Sequence, residues 1–284
     1  LPLPVHVEPQ GREVAVRRGP STGQYIRPAG EDVRRGDVVV PAGTRLTPRH
    51  VALLAAIGRR EVRAVPPPRV AVVSTGSELA EPGEPLRPGQ VYESNAYGLV
   101  AACRELGAHA YRVGPVPDDA AALAGVLREL AGTVDLVLTS GGVSAGAFEP
   151  VKQVFSGGLA GRDRPGSGVV PPGDVEFAKV AMQPGLPQGV GELAGQDGAR
   201  TPIVTLPGNP VSSLVSFEVF VRPMLGKMRG EPEAGWSRPE LEAVALESWA
   251  SAPGKRQFVR GVLGREAGGA GSPDLTVRPL GRSG

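Results

Sequence analysis

The stretch "DLVLTSGGVSAG", residues 135 to 146, carries an apolar run straight into a turn of small polar residues. "VAVVSTGSEL" at 70 to 79 and "PIVTLPGNPVSS" at 202 to 213 repeat the pattern. A short apolar run closed by turn residues suits a buried strand. Between these runs lie helical spacings, "NAYGLVAACRELG" (95 to 107) and "DDAAALAGVLRELAG" (118 to 132), and another strand-like run, "HAYRVGPV" (109 to 116). Repeated strand–helix–strand units predict an α/β fold, with an open, mostly parallel sheet and helices on both faces. Right-handed crossovers then place the polar strand ends along one edge, where ligands of such sheets collect.

Working outward, "VPPPRV" (65 to 70) reads as a stiff linker and a domain boundary. Residues 1 to 65 form a β-rich N-terminal segment that looks incomplete. Within it, "GDVVVPAGTRLTP" (36 to 48) alternates strand-like runs with turns, and "PRHVALLAAIG" is a short helix stopped by Gly58. Residues 66 to 232 make the α/β domain, and 233 to 284 a partial C-terminal β domain with "AVALESWA", "RQFVRGVLG" and "LTVRPLG" as short strands. Two Gly- and Pro-dense segments, 156 to 175 and 187 to 200, read as loops. "NPVSSLVSFEVFVRPMLGKM" (209 to 228) has helical spacing, and Pro223 should kink it or begin its last turns.

With 284 residues the chain has room for two or three domains. A formal net charge of +2 gives no electrostatic case for nucleic acid or membrane partners. The single cysteine, Cys103, excludes an internal disulfide and fits a reducing, cytoplasmic compartment. No apolar run is long enough to span a bilayer.

The strand ends carry the chemistry. Glycines there let backbone N–H groups approach an anion closely, so Gly141, Gly142, Gly208 and Asn209 are candidate donors, with hydroxyls at Thr139, Ser140, Ser144, Ser212 and Ser213. The spacing matches neither a Walker loop nor a Rossmann fingerprint. Acids gather near the same edge: Glu78, Glu93, Asp118, Asp119 and Glu149. Carboxylates beside a phosphate site suit Mg²⁺, although Asp119 taken alone reads as a helix cap and Asn95 as another. His6, His50 and His109 are scattered and read as ordinary positions rather than catalytic bases. Lys179 in "FAKVAMQPG" and Arg260 in "GKRQFVRGVL" are either solvated strand positions or anion partners.

Taken together, "STGSEL", "YESN", "VPDD", "TSGGVSAG", "FAKVAMQPG" and "LPGNPVSS" resemble, in order and spacing, the molybdopterin molybdotransferase family, the MoeA family that includes the E domain of gephyrin. The resemblance spans about residues 25 to 284. It implies insertion of molybdate into adenylylated molybdopterin with release of AMP, assisted by Mg²⁺, in a homodimer whose central domain is MogA-like. By motif it implies catalytic roles for Glu93, Asp118, Asp119, Glu149 and Lys179, with Glu93, Asp119 and Glu149 as metal ligands. It implies substrate contacts at Thr75, Gly76, Ser140, Gly141, Gly142, Ser144, Pro207, Gly208, Asn209, Ser212 and Arg260. Departures are Gln183 and Leu186 where many members carry lysine, Ser77 where aspartate is common, and Glu149 in place of aspartate. The alternatives are a molybdopterin adenylyltransferase and a non-catalytic scaffold of the same fold.

Overall fold

The computed structural model describes residues 7–10, 13–16, 19, 21–24, 26–142, 150–155, 170–266 and 274–280. Two compact units result, Leu1–Val62 and Arg63–Gly284. The first contains an antiparallel pair, β1 (Val7–Gln10) and β2 (Glu13–Val16), and one helix, α1 (Pro48–Ala56). His50 serves that helix locally: its Nδ1 accepts the Thr47 backbone N–H at 3.1 Å. The expected strand-like runs at 36 to 48 are turns and extended chain instead. Among the described residues their valines have no neighbouring strand to pair with, and Val38 is 79% exposed.

The second unit is built on a six-stranded sheet. Its elements begin with β3 (Arg69–Thr75), a short parallel pair β4 (Leu79–Ala80) and β5 (Val91–Tyr92), α2 (Asn95–Glu105) and β6 (His109–Val116). They continue through α3 (Ala120–Leu130), β7 (Leu136–Ser140), α4 (Pro150–Phe155) and β8 (Gly173–Lys179). Next come β9 (Met182–Gln183), β10 (Pro187–Ala194), β11 (Arg200–Leu206), α5 (Pro210–Ser216) and α6 (Arg222–Met228). Strand order is β6-β3-β7-β11-β10-β8; the first four are mutually parallel, and β10 runs against both its neighbours. The core is therefore the expected mostly parallel α/β sheet, with an antiparallel hairpin at one side.

Alternation along the strands fills two cores. Val70, Val72, Leu136, Leu138, Val204 and Leu206 face one side and pack with α2 and the helix that follows β11. Ala71, Val73, Val137 and Ile203 face the other, against α3 and α4. Helix α2 buries Ala96, Leu99, Val100 and Cys103, and α3 buries Ala120, Leu123, Ala124 and Leu127, with Leu130 beyond them. These are the i, i+3, i+4, i+7 stripes that dock a helix on a sheet. Burial pushes the Cys103 thiol up to about 12, so it is an inert packing residue.

The helix after β11 does change near Pro223. Residues Phe217–Val221 form a π-helical turn, and α6 restarts with Pro223 in its first turn, where a missing N–H costs nothing. The reading of 187 to 200 as a loop is corrected: most of it is β10, and only the turn around 195–199 connects to β11. Its glycines serve close approach. A Cβ on Gly189 would lie 2.3 Å from Thr205 Oγ1 and 2.9 Å from the Phe177 ring. For the other expected loop, residues 156–169 lie outside the described residues, and 173 to 175 already belong to β8.

The C-terminal strands are sparser than expected. "AVALESWA" contributes only β12 (Val244–Ala245), and "RQFVRGVLG" splits into β13 (Arg256–Gln257) and β14 (Gly261–Glu266). With β15 (Asp274–Pro279), strands β12 and β14 make a three-stranded sheet, while β13 pairs with β9. Since Leu138 is fully buried between sheet and helices, Leu138→Ala should destabilise the protein by about 2–5 kcal/mol in denaturant titration. Val190→Ala, at a 53% exposed strand position, should change it by less than about 1 kcal/mol.

Candidate functional site

Register brings the strand ends together. In the parallel ladders Ser74 stands beside Ser140, and Ser140 beside Leu206, so β3, β7 and β11 finish level with one another. The chain leaves β3 toward β6 on one side, whereas β7 lies on the other, which makes β3/β7 a topological switch point. A cavity of about 600 Å³ opens there. Its walls include Thr75 and Gly76 after β3, Ser140, Gly141 and Gly142 after β7, and Gly208 and Asn209 after β11. Glu78, Glu93 and Asp118 line it as well.

Two glycines let these loops meet. Gly141 has φ +96°, and a Cβ there would sit 2.8 Å from the Thr75 carbonyl oxygen. A Cβ on Gly208 would come within 3.4 Å of the Gly141 Cα. The Gly141 N–H is already given to Leu206 O at 3.2 Å, so its expected part as an anion donor is corrected to a steric one. The amides of Gly142, Gly208 and Asn209 have no such partner among the described residues. Asn209 uses its side chain locally, Oδ1 accepting the Val211 and Ser212 N–H groups, both at 3.1 Å.

A residue read from sequence only as a cap proves central. Asn95 Nδ2 donates to Ser140 Oγ at 2.8 Å and to Gly208 O at 2.7 Å, tying the ends of β7 and β11 together. The signal lay in an amide, with its two donors, at a strand-to-helix junction. Helix α2 is capped instead by Glu93, whose Oε1 accepts the Ala96 N–H at 2.9 Å. Glu93 is only 2% exposed, and its Oε2 is buried without a hydrogen-bond partner. Thr75 Oγ1 is likewise buried and unpartnered. Such groups normally find a partner, so both are open to a ligand, ion or water.

The Asp118–Asp119 pair divides its work. Asp118 lines the cavity and clasps the β3 turn: its Oδ2 accepts the Ser77 N–H, and its own N–H goes to Ser77 Oγ, both at 3.0 Å. Ser77 thus fits this chain's Asp118 without placing two acids face to face. Asp119 does not line the cavity; its Oδ1 accepts the Ala122 N–H at 2.6 Å and caps α3. Ser144 and Glu149 lie outside the described residues. Among the described residues no three metal-ligating side chains cluster.

A neighbouring cavity of about 520 Å³ is bounded by Asn209, Ser212, Gln183 and Arg260, with Trp249 and Phe258. Asn209 belongs to both cavities. Pro207 lines neither, and Lys179, exposed at the end of β8, reaches the same rim of the sheet but lines neither cavity. Beside the first cavity, Glu81 anchors the short β4–β5 pair. Its carboxylate takes hydrogen bonds from Arg112 and from Tyr97 Oη, and the Arg112 guanidinium lies 3.7 Å over the Tyr97 ring. Arg112 first, and Tyr97 second, hold the Glu81 carboxyl below its usual range.

Asn95→Ala should leave Ser140 Oγ and Gly208 O without their donor and lower stability by about 1–3 kcal/mol in denaturant titration. Asn95→Asp, which keeps shape but loses the donor, should do no better; wild-type stability in both would remove this tie.

Residues 71–227 match the family described as a probable molybdopterin binding domain, and residues 5–58 match the MoeA N-terminal region, domains I and II. Molybdopterin molybdenumtransferase 2 of Mycobacterium tuberculosis is 50% identical over 256 residues, covering 90% of this chain and 59% of that protein. Molybdopterin molybdenumtransferase of Haemophilus influenzae is 36% identical over 243 residues, covering 85% and 55%. The chain thus spans under three-fifths of the length of these curated relatives. Among solved structures, the molybdopterin biosynthesis MoeA protein of Pyrococcus horikoshii OT3 superposes with a TM-score of 0.62 at 26% identity, over 98% of this chain and 60% of that one. A second crystal structure, of the MoeA protein reported from Pyrococcus horikosii, gives 0.59 at 31% identity over 79% and 51%. With that match over more than half its length, on a sheet whose strand ends converge on one cavity, this chain belongs to the MoeA family of molybdopterin-binding proteins.

Proposed function

We propose that this protein inserts molybdate into adenylylated molybdopterin and releases AMP with the finished molybdenum cofactor. The observation that carries the reading is the cavity at the level ends of β3, β7 and β11, which the Gly142, Gly208 and Asn209 segments share with Glu93; among the described residues neither those amides nor the buried Glu93 Oε2 has a partner. That combination suits a phosphoanhydride with a bound cation. The Gly142, Gly208 and Asn209 amides bind phosphate oxygens, and Thr75 and Ser140 add hydroxyls.

The donor set fits Mg²⁺, which takes one or two carboxylates and completes its shell with phosphate oxygens and water. Glu93 and Asp118 would hold it, with Asp119 taken up as the cap of α3, while the expected ligand Glu149 lies outside the described residues. When bound, the ion neutralises charge building on the phosphate oxygens. The bridging P–O bond breaks as a water oxygen adds to phosphorus, so AMP and the pterin monophosphate part without a side-chain nucleophile. Asn95 positions the two loops on which the donors lie. Arg260 and Ser212, in the second cavity, hold molybdate as an oxyanion.

The reading extends to a cytoplasmic homodimer, with a boundary near residue 65 and another near 232 as the sequence suggests. Among the described residues no helix is long and apolar enough to cross a membrane. The match of 5–58 to the MoeA N-terminal region favours the transferase over an adenylyltransferase. Gln183 and Leu186, at family lysine positions, are what a non-catalytic scaffold would tolerate.

The test is incubation with adenylylated molybdopterin, molybdate and Mg²⁺, with AMP measured by chromatography. AMP should appear only when both ions are present, and Glu93→Gln should slow it about a hundredfold. Undiminished release from Glu93→Gln combined with Asp118→Asn would remove the cation assignment. Pyrophosphate release from ATP and molybdopterin would favour the adenylyltransferase, and absence of any turnover the scaffold.

A further inference from the structure

The chain has two tryptophans, and they are used differently. Trp236 is a packing residue: its indole N–H donates to Glu231 O at 2.7 Å, and its ring fills the space over Gly226, 2.6 Å from where a Cβ would stand. Trp249 lines the second cavity, 41% exposed, with no hydrogen bond from its indole among the described residues. Phe258 is a second aromatic wall of that cavity. Trp249 therefore presents a large flat aromatic face, with its N–H free to donate among the described residues, on a cavity wall.

The same cavity holds one cation, Arg260, and one acid, Glu247, that does not pair with it. Arg260 makes no ion pair among the described residues, and the one carboxylate in the lining, Glu247, is 3.5 Å from Arg278. Ser212 and Gln183 supply neutral donors beside it. An aromatic face, an unpaired guanidinium and amide or hydroxyl donors together suit a flat, nitrogen-rich ring carrying an anionic group. A cavity of about 520 Å³ accommodates a fused bicycle with its substituent.

We propose that Trp249 is the stacking platform for the pterin ring of the substrate, with the oxyanion attached to or beside that ring held by Arg260. This rests on the reading of the reaction given above and deepens it. Asn209, common to both cavities, stands where the substrate passes from its phosphate end to its ring end. Adenine is also a flat nitrogen heterocycle on the same phosphoanhydride, but molybdate, which the reading above places on Arg260 and Ser212, joins the pterin side, so the ring beside Arg260 is the pterin.

The proposal is tested by tryptophan fluorescence in a Trp236→Phe background, where Trp249 is the sole indole, using pterin-6-carboxylate and AMP as separate probes. Pterin-6-carboxylate should quench Trp249 saturably, beyond the quenching of free N-acetyltryptophanamide. By calorimetry, Trp249→Leu in the otherwise wild-type chain should weaken its binding about tenfold. Arg260→Ala should weaken it by a similar factor, while Glu93→Gln should leave it unchanged. AMP should bind without quenching Trp249. Saturable quenching by AMP but not by the pterin would overturn the assignment in favour of adenine, and unaltered pterin affinity in Trp249→Leu would overturn the platform itself. Neither readout needs turnover. Pterin quenching without AMP release would leave the platform standing while the reaction fails, and AMP release with no effect of Trp249→Leu would do the reverse.

Discussion

Everything at the candidate site depends on register in the parallel ladders. Because Ser74, Ser140 and Leu206 stand side by side, three chains turn away from the sheet at one level, and their loops must share one space. Slipping one ladder by a single residue would turn that strand's side chains to the opposite face. The register is therefore fixed by the same alternation that sends Val70 and Leu138 to one core and Val73 and Val137 to the other. Burial on both faces, rather than any bond at the rim, is what aligns the rim.

Once aligned, the loops are held by small, local devices. Gly141 and Gly208 allow backbone to pass backbone, Asn95 bridges the two loops, and the Ser77–Asp118 clasp fixes the turn after β3. Asn95 and the Ser77–Asp118 clasp satisfy polar groups that would otherwise be unpaired beside a cavity. At the cavity wall Glu93 Oε2 and Thr75 Oγ1 remain without a partner among the described residues, as do the buried hydroxyls of Ser74, Thr139, Thr205 and Ser213 elsewhere in the unit. A site that satisfies its scaffold and leaves a particular set of atoms open is pre-organised for whatever those atoms bind.

Much of this was legible in the sequence. The strands of the central sheet were marked by apolar runs ending in Gly and Ser, and α2 and α3 by their stripes. The convergence of Thr75, Gly141 and Gly208 followed from topology alone. The failures have physical causes. Glycine in β10 marked crowding between strands, which looks the same in sequence as glycine in a turn. The valines of 36 to 48 have strand propensity but, among the described residues, no partner strand. The cap role of Asp119 was readable from its place before a helical run, but nothing local showed that Asp118 would clasp the β3 turn through Ser77, since that pairing is made by tertiary placement. Trp249 carried no local signal, because its cavity is assembled from β9, β13, the first turn of α5 and the end of β15.

The central claim is that the rim binds the phosphate end of a nucleotide through backbone amides of these loops. Amide chemical shifts of the ¹⁵N-labelled protein on titration with AMP and Mg²⁺ test it most directly. The account predicts saturable shifts at Gly142, Gly208 and Asn209. Shifts confined to the opposite end of the sheet, around Arg69, Arg104 and His109, would contradict it.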